Sequence, residues 1–430
     1  MIPILELYSN LNIFFLIHCR KNLKWVFAAL MTTMILIFCS QLPKMKMSYM
    51  CYEKFNYNQN TENSFLNTES EHSCQPKTHI FLLKTHKTAS STIMNILFRF
   101  GDSRNLTYAL PIYSNDFIYP AYFSQKYVKG FSKESNQTFH MLCHHMRFQL
   151  SEVQEVMPND TFYFTILRNP ISLMESSFQY YKSSKIFKTS KSLEDFLYNS
   201  SKYYKEDFDG SQYAKNLMTF DMGFSNNGGE SAKHIKLLNQ AVETMFDLVL
   251  ISEYFDESLV ILKDKLCWTL DDVLSIPLNI RSNDTKEPLT LEIQDKIKNW
   301  NQLDWQLYNH FNETFWNHVK RFGSKRMERE VEELRKRRKE MSQVCFQGDV
   351  DPEEVHDDSL LPYQSGIAKI RGYNLKTGLK EAEEHLCRKL ITPELQYTER
   401  LWIKQYKTSP HYKQLAKKKK SVTEKAGPIP

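Results

Sequence analysis

Short apolar runs alternate along the chain with segments whose apolar residues recur every three or four positions. The runs lie at His79–Leu83, Thr161–Leu167 and Phe246–Ile251. A short and nearly continuous apolar run is typical of a strand that is buried on both faces. Because each run precedes a segment with helical spacing, the pattern predicts an α/β fold in which helices flank a parallel sheet.

Helical spacing is clearest directly after the first two predicted strands. Ile93, Ile96, Leu97 and Phe100 lie at i, i+3, i+4 and i+7, which places them on one face of a helix. Pro170 follows the second strand and suits the first turn of another helix.

Two longer helical segments follow towards the C-terminus. Residues 291–321 combine helical spacing with aromatic side chains, so they predict a long helical stretch. Residues 324–342 also have helical character but are charged all round, so we expect a helix exposed to solvent.

An apolar segment near the N-terminus predicts a membrane anchor. Trp25–Leu42 is long enough to cross a bilayer, and basic residues at 20, 21 and 24 favour a cytosolic N-terminus. A buried core helix is the alternative, but without a cleavage site we expect an uncleaved signal anchor. The predicted divisions are a cytosolic tail (1–24), an anchor (25–42), a lumenal stem (43–76), a catalytic domain (77–323) and a C-terminal helical extension with a basic tail (324–430).

Sequons and cysteines agree with a lumenal location for the chain after residue 42. Asn-X-Ser/Thr sequons lie at Asn105, Asn136, Asn159, Asn199, Asn283 and Asn312. Cysteines on the same side lie at Cys51, Cys74, Cys143, Cys267, Cys345 and Cys387. Their even number in an oxidising compartment favours disulfides whose pairing is left open, and buried reduced cysteines are the alternative.

Composition narrows the classes of function. Only 12 of 430 residues are glycine, which argues against a glycine-rich dinucleotide-binding loop. The net charge of +6 suits an anionic ligand or a membrane surface, although Lys417–Lys420 contributes part of it as a solvated tail. We do not expect a nucleic acid as partner. The most highly charged segment, 324–342, is charged all round, which indicates a solvent-exposed helix and not a nucleic-acid-binding one.

The sequence KTHKTASST, residues 84–92, lies where the first strand meets its helix. In a parallel α/β sheet ligands bind beyond the carboxyl ends of the strands, and a helix N-terminus attracts anions. Lys84 and Lys87 add positive charge. Hydroxyls that could cap the helix or bind phosphate oxygens follow on Ser90, Ser91 and Thr92. The segment predicts a P-loop-like anion site without the Walker spacing, or else an ordinary helix start with exposed lysines.

A second candidate anion site follows the second strand. Arg168 lies at the end of that strand, and Ser176 follows two helical turns later. An arginine there can bind a phosphate in a bidentate manner, with a serine hydroxyl beside it. A structural ion pair is the alternative for the arginine. Two anion sites at two strand ends indicate a ligand with two separate phosphate groups.

The cluster HMLCHH, residues 140–145, raises the question of a metal. Its spacing fits no standard zinc ligand set, and no distant Cys/His pair completes it. We therefore expect no metal.

The chain resembles the Golgi galactose 3-O-sulfotransferases, and among them the enzymes that act on galactosylceramide. The resemblance runs from about Cys74 to Gln396 and is carried by KTHKTASSTIMNILFRFG, HHMRF, RNP…ESSF, LISEYFDESLVILKDKLCW, HFNETFW and RGYNLK. It implies a sulfotransferase fold and the donor 3′-phosphoadenosine 5′-phosphosulfate (PAPS), with no metal. It also implies a Golgi membrane protein of type II orientation, with a lumenal catalytic domain and a glycolipid acceptor that ends in galactose. Whether it forms a homo-oligomer stays open.

The resemblance assigns donor-binding residues. It implies that the 5′-phosphosulfate is bound by Lys84, Thr85, Lys87, Thr88, Ala89, Ser90, Ser91 and Thr92. Arg168 and Ser176 match the pair that binds the 3′-phosphate, and Arg281 is expected near the donor. Asn312 is the sequon that best matches the family.

The resemblance also suggests catalytic residues. Lys87, with Lys84 as second candidate, would stabilise charge on the oxygen that leaves with the donor phosphate. His145 is the first candidate for the base that accepts the acceptor proton, and His86 is the second. His144 departs from the family pattern, and the tail departs from it after about Gln396.

Three rival functions remain at this stage. A sister enzyme acting on glycoprotein or oligosaccharide galactose would share these loops, because acceptor choice can depend on few residues. A non-catalytic, membrane-anchored glycan-binding protein would be free to lose Lys84, Lys87, Arg168, Ser176 and His145. A nucleotide kinase is opposed by the missing Walker glycines and lysine.

Overall fold

A computed structural model describes residues 74–112, 115–135, 137–228, 231–282, 286 and 288–406. The predicted tail, anchor and most of the stem lie outside the described residues, as do Cys51, two sequons (Asn136 and Asn283) and the basic tail from 407. No helix within the described ranges is both long and apolar enough to cross a membrane. All described residues belong to one compact unit.

The main sheet has four parallel strands in the order β2-β1-β3-β4. They are β1 (Ile80–Leu83), β2 (Met141–Leu142), β3 (Phe162–Leu167) and β4 (Leu248–Ile251). Every residue of these strands is buried. Since alternate side chains point to opposite faces, both faces of the sheet are covered. The predicted parallel sheet is therefore confirmed, and β2 is the one strand that was too short to recognise.

The α-helices lie between and after these strands. In chain order they are Ser90–Ser103 (α1), Leu150–Val156 (α2), Pro170–Tyr180 (α3), Leu193–Tyr198 (α4), Ser200–Tyr203 (α5), Leu217–Asp221 (α6), Ala232–Met245 (α7), Phe255–Leu266 (α8), Leu270–Val273 (α9), Leu291–Trp300 (α10), Gln302–Phe322 (α11), Ser324–Cys345 (α12), Glu381–Ile391 (α13) and Glu394–Tyr406 (α14). Pro170 occupies the first turn of α3 as predicted, and the Asn169 side chain caps that helix.

Of two predictions about the C-terminal helices, one is confirmed and one is wrong. The helical stretch predicted at 291–321 is present as two consecutive helices, α10 and α11, which divide at Asn301. Helix α12, expected to be exposed on all sides, buries Met327, Val331 and Leu334 in the main core. These three residues form a stripe only one side chain wide, which the high density of charge around it concealed in the sequence.

A second, two-stranded sheet lies in the C-terminal part of the unit. Strand β5 (Phe346–Val350) pairs antiparallel with β6 (Gly372–Leu375), and a separate small core packs around them. The sequence analysis did not predict this sheet, because three of the five β5 side chains are exposed and give no apolar alternation.

Two disulfides stabilise the described unit. Cys74 pairs with Cys267, and Cys345 pairs with Cys387. Cys143 is buried and free, which matches the alternative that was kept for individual cysteines. The first bridge joins the start of the described chain to the end of α8, and the second joins α12 to α13.

Candidate active site

A cavity of about 1150 Å³ lies at the carboxyl ends of the parallel strands. Its wall includes the predicted residues Lys84, His86, Lys87, Thr88, Ala89, Ser90, Ser91, Thr92, His145, Arg168, Ser176 and Arg281. Thr85 alone among the predicted site residues is absent from this wall, because its hydroxyl donates to the Ile166 carbonyl of β3 at 2.6 Å. The structure brings the other residues together around one space, and their individual roles stay predictions.

The loop after β1 differs from the prediction in how it uses its hydroxyls. Helix α1 begins after Ala89, whose left-handed backbone (φ 65°) carries no capping side chain. The predicted capping by the serine and threonine hydroxyls is therefore wrong. Ser90 instead donates to the Thr85 carbonyl at 2.7 Å, and Ser91 donates to Glu394 at 2.9 Å. These bonds brace the loop, so its backbone N–H groups and lysines are the parts suited to an anion.

Positive charges crowd the part of the cavity that we call the cationic end, formed by Lys87, Arg168, Arg281 and Glu175. Arg168 donates to the Lys87 carbonyl at 2.8 Å, and the Lys87 ammonium lies 3.7 Å from the Tyr180 ring centroid. Burial, together with the charges of Arg168, Lys84 and Arg281, lowers the pKa of Lys87 to about 7. The three cations here have two carboxylates near them, Glu175 and Glu253, so a bound anion with several charges would relieve their repulsion.

Arg281 gives a second sign that the cationic end suits an anion. One of its terminal nitrogens donates to both oxygens of Glu175, at 2.7 and 2.5 Å. The other, Nη1, is buried and has no hydrogen-bond partner among the described residues. A buried donor without a partner is unfavourable, so an oxygen of a bound anion would satisfy it.

A second group, which we call the histidine end, comprises Lys84, His86 and His145 of the cavity wall and the buried Asp221 behind them. Both ring nitrogens of His145 are occupied by Lys84. The Lys84 ammonium lies 2.7 Å from Nε2, and Nδ1 lies 3.1 Å from the Lys84 carbonyl, to which it donates. Desolvation lowers the pKa of His145 well below its ordinary value, and the neighbouring His86 and Lys84 add to the effect. His145 is thus a neutral ring whose lone pair already accepts a hydrogen bond.

His86 stacks on His145 with ring centroids 3.9 Å apart, but its nitrogens are used differently. Its Nδ1 lies 3.0 Å from both oxygens of Asp221, so this nitrogen carries the proton and donates. Its Nε2 has no hydrogen-bond partner among the described residues. The geometry therefore favours His86 over His145 as a proton acceptor, the reverse of the order that the resemblance suggested.

Three acidic or phenolic residues of the site were missed in the sequence analysis. Asp221 ends the short helix α6, Glu394 begins α14 and lies 3.1 Å from the Lys84 ammonium, and Tyr119 donates to Asp221 at 2.8 Å. They come from regions far from the loop in sequence, and no local spacing linked them to it. Glu175 is a fourth residue that was missed. It directly precedes the predicted Ser176 in the sequence, and this adjacency was the one feature that could have indicated it.

The remaining candidates lie apart from this chemistry. His144 is buried, its Nε2 lies 3.0 Å from the Thr398 hydroxyl, and burial lowers its pKa to about 3. Asn312 lies half-buried on α11, and its glycosylation stays a prediction. Within the described residues no cluster of His, Cys, Asp or Glu side chains could hold a metal ion.

A parallel α/β sheet with a cationic pocket and a carboxylate-held histidine at its strand ends defines a class of anion-binding, group-transfer proteins. The family profile described as Galactose-3-O-sulfotransferase matches residues 7–405. The chain belongs to this family.

Relatives of known name agree with that assignment. Galactose-3-O-sulfotransferase 2 of Mus musculus is 46% identical over 342 residues, which cover 77% of this chain and 86% of the relative. Galactosylceramide sulfotransferase of Homo sapiens is 42% identical over 332 residues, covering 75% and 78%. Galactose-3-O-sulfotransferase 4 of Bos taurus is 36% identical over 407 residues, covering 78% and 84%.

Proposed function

We propose that the protein transfers a sulfuryl group from PAPS to the 3-hydroxyl of a terminal galactose. The observation that carries this proposal is the pairing, in one cavity, of a cation cluster short of negative charge with a histidine whose Nε2 is free. Family membership supports the choice of donor and of acceptor hydroxyl. The donor would supply a sulfuryl group activated by its bond to phosphate.

The cationic end would hold the anionic groups of the donor. Lys87 and the backbone of the loop after β1 would bind the phosphosulfate, while Arg168 and Ser176 would bind the 3′-phosphate. Arg281 would complete the set by donating its unpartnered Nη1 to a donor oxygen. Negative charge beside Lys87 would raise its pKa above about 7, so the lysine would carry full charge in the complex.

The histidine end would activate the acceptor. His86 would accept the proton of the galactose hydroxyl at Nε2, which would raise the nucleophilicity of the oxygen. Lys87 would stabilise the negative charge that develops on the departing phosphate oxygen. His145, through its bonds to Lys84, would hold that lysine in the cavity wall rather than act as the base.

For the acceptor we propose galactosylceramide and related glycolipids, with sulfatide as product. The motifs quoted above and the human relative named galactosylceramide sulfotransferase support this choice. The second candidate is galactose on glycoproteins or free oligosaccharides. It is favoured by the 46% identity to the mouse protein named galactose-3-O-sulfotransferase 2, a higher figure than for the glycolipid enzyme.

We also propose that the protein is a type II membrane protein of the Golgi apparatus, anchored by 25–42. The apolar segment, its basic flank and the sequons that follow it support this location. Protease added to the outside of sealed Golgi vesicles would test the orientation. We expect the catalytic domain to be protected until detergent is added, and its digestion without detergent would contradict the proposal.

A transfer assay tests the proposed reaction. The full-length protein in detergent micelles receives labelled PAPS with galactosylceramide, lactosylceramide or a galactose-terminated oligosaccharide. A 3-deoxygalactoside serves as the matched control acceptor. We expect label in the glycolipids and none in the 3-deoxy compound. Label in the oligosaccharide alone would move the acceptor to the second candidate. Donor binding without transfer to any acceptor would favour the glycan-binding protein.

A further inference from the structure

Asp221 lies under the His86 ring and is fully buried. Its Oδ2 accepts the backbone N–H of His86 at 2.8 Å, and both carboxylate oxygens lie 3.0 Å from Nδ1 of the same residue. The Tyr119 hydroxyl donates to Oδ1 at 2.8 Å. One carboxylate thus fixes both the backbone and the ring of His86.

These contacts determine which nitrogen of His86 can take a proton. A carboxylate accepts hydrogen bonds, so Nδ1 must carry the hydrogen, and in the neutral ring the lone pair is then on Nε2. The stack of the ring on His145 and the tilted contact with Tyr119, 4.6 Å between centroids, prevent the ring from turning over. Without the carboxylate, nothing among these contacts would select this tautomer.

A second buried carboxylate, Asp304 of α11, contacts the start of the helix that Asp221 ends. Helix α6 begins with the backbone N–H groups of Met218 and Thr219 donating to Asp304, at 3.0 and 2.8 Å. Asp221 ends the same helix. The helix therefore carries one carboxylate that contacts His86 and is held by another that does not, which provides a matched pair for experiment.

We infer that Asp221 is a positioning residue for the transfer reaction, which orients His86 and selects the neutral tautomer whose Nε2 lone pair faces the acceptor hydroxyl. The inference rests on the proposed function. In the step concerned, the galactose oxygen forms the new bond to sulfur. The bond from sulfur to the donor's bridging oxygen breaks, and its electron pair leaves with the phosphate. The hydroxyl proton goes to Nε2 of His86. Asp221 touches neither substrate, and it acts through the histidine.

Steady-state kinetics of Asp221→Asn test the inference. An amide at this position can donate to Nδ1 and so permits the wrong tautomer. We expect kcat to fall on the order of 100-fold while KM for PAPS stays within about threefold, because general-base catalysis contributes factors of this size. Asp221→Glu should recover part of kcat, and Tyr119→Phe, which keeps the carboxylate, should lose less than about tenfold.

Asp304→Asn is the control for a merely structural role. It alters a buried carboxylate of α11 that accepts backbone hydrogen bonds from α6 without contacting His86. The amide oxygen of the variant can still accept such bonds, so kcat per folded molecule should stay near that of the unsubstituted protein. Equal loss of kcat in both variants, or an unchanged kcat in Asp221→Asn, would overturn the inference. If Asp221→Asn does not fold, the comparison of Asp221→Glu with Tyr119→Phe decides instead. The inference predicts that Asp221→Glu keeps the higher fraction of kcat for each hydrogen bond changed. A lower fraction would show that the carboxylate is not the group that matters.

A readout that does not need turnover separates this inference from the proposed function. Diethyl pyrocarbonate modifies unprotonated imidazole nitrogens, and peptide mass mapping gives the rate at each histidine. We expect Asp221→Asn to slow modification of His86 severalfold relative to the exposed His385, which serves as internal reference. An unchanged ratio would overturn the inference even if the protein transferred no sulfuryl group, an outcome that by itself would reject only the proposed function.

Discussion

The two ends of the cavity differ in how their polar groups are satisfied. At the cationic end, Lys87, Arg168 and Arg281 outnumber the nearby carboxylates of Glu175 and Glu253, and one buried donor of Arg281 has no partner among the described residues. At the histidine end, each named side chain bonds to another, and Nε2 of His86 is left free. The first end therefore leaves a buried donor unsatisfied, whereas the second leaves one imidazole nitrogen without a partner among the described residues.

The two histidines of the histidine end, His86 and His145, differ in the groups that bond to their rings. His86 and His145 follow adjacent strands and stack on each other, yet only His86 keeps a free lone pair. What separates them is the partner of each ring, a carboxylate for one and a lysine for the other. Residue type alone would not distinguish them.

The largest expected effect on turnover comes from a substitution that alters the histidine end alone. His86→Ala should lower turnover about 1000-fold, since it removes the proton acceptor. Binding of 3′-phosphoadenosine 5′-phosphate (PAP), the product left by the donor, should be unchanged in calorimetry. His145→Ala is the matched variant and should lose less turnover. A greater loss in His145→Ala than in His86→Ala would restore the order that the resemblance suggested.

The next largest effect, on donor affinity, comes from a substitution at the cationic end. Arg168→Ala should weaken PAP binding by about 2 kcal/mol, the size of a charge-assisted hydrogen bond. Arg326, paired with Asp264 and Glu330 on the surface, provides the control substitution to alanine. Equal affinities of the two variants in calorimetry would show that Arg168 serves only to brace the Lys87 carbonyl.

A pH dependence should sharpen the contrast between the ends. In the free protein the pKa of Lys87 is lowered to about 7, and a bound anion raises it. The complex then holds more protons than the free protein above about pH 7, so PAP affinity should fall as pH rises, by up to about tenfold per unit. Calorimetry in buffers of different ionisation enthalpy should show proton uptake on binding. Lys87→Arg should abolish that uptake, and its persistence there would assign it to another group.

The smallest effect concerns the helix that carries Asp221 to the histidine end. Burial raises the pKa of Asp304 to about 6, above the value in an unfolded chain. The folded state therefore binds more protons between about pH 4 and 6, so stability should fall as pH rises through this range, by about 2 kcal/mol. Asp304→Asn should flatten the curve in urea titrations. An equally steep curve would mean that other groups cause it.

The sequence predicted those parts of the fold and site that depend on local pattern. The apolar runs located β1, β3 and β4, and the position of residues 84–92 and Arg168 at strand ends placed them correctly in one cavity. Strand β2 has two residues and leaves no periodic signal, so the sheet position of His145 was not foreseen.

The rest depends on contacts between residues distant in the chain. Asp221 and Glu394 reach the loop after β1 from 135 and 303 residues away, and spacing carries no information at such a range. The hydroxyls of the loop resembled helix caps by residue type. The structure shows a left-handed backbone at Ala89 and no side chain that caps the helix, so these hydroxyls bond to other groups.

Turnover at saturating PAPS, measured side by side for Arg168→Ala and His86→Ala, tests the division of the cavity most directly. The account predicts that excess donor restores Arg168→Ala to within about threefold of the unsubstituted rate, because the variant lost affinity alone. His86→Ala should stay about 1000-fold slower at any donor concentration, because it lost the proton acceptor. Recovery of both variants, or of neither, would contradict the separation of donor binding from proton transfer.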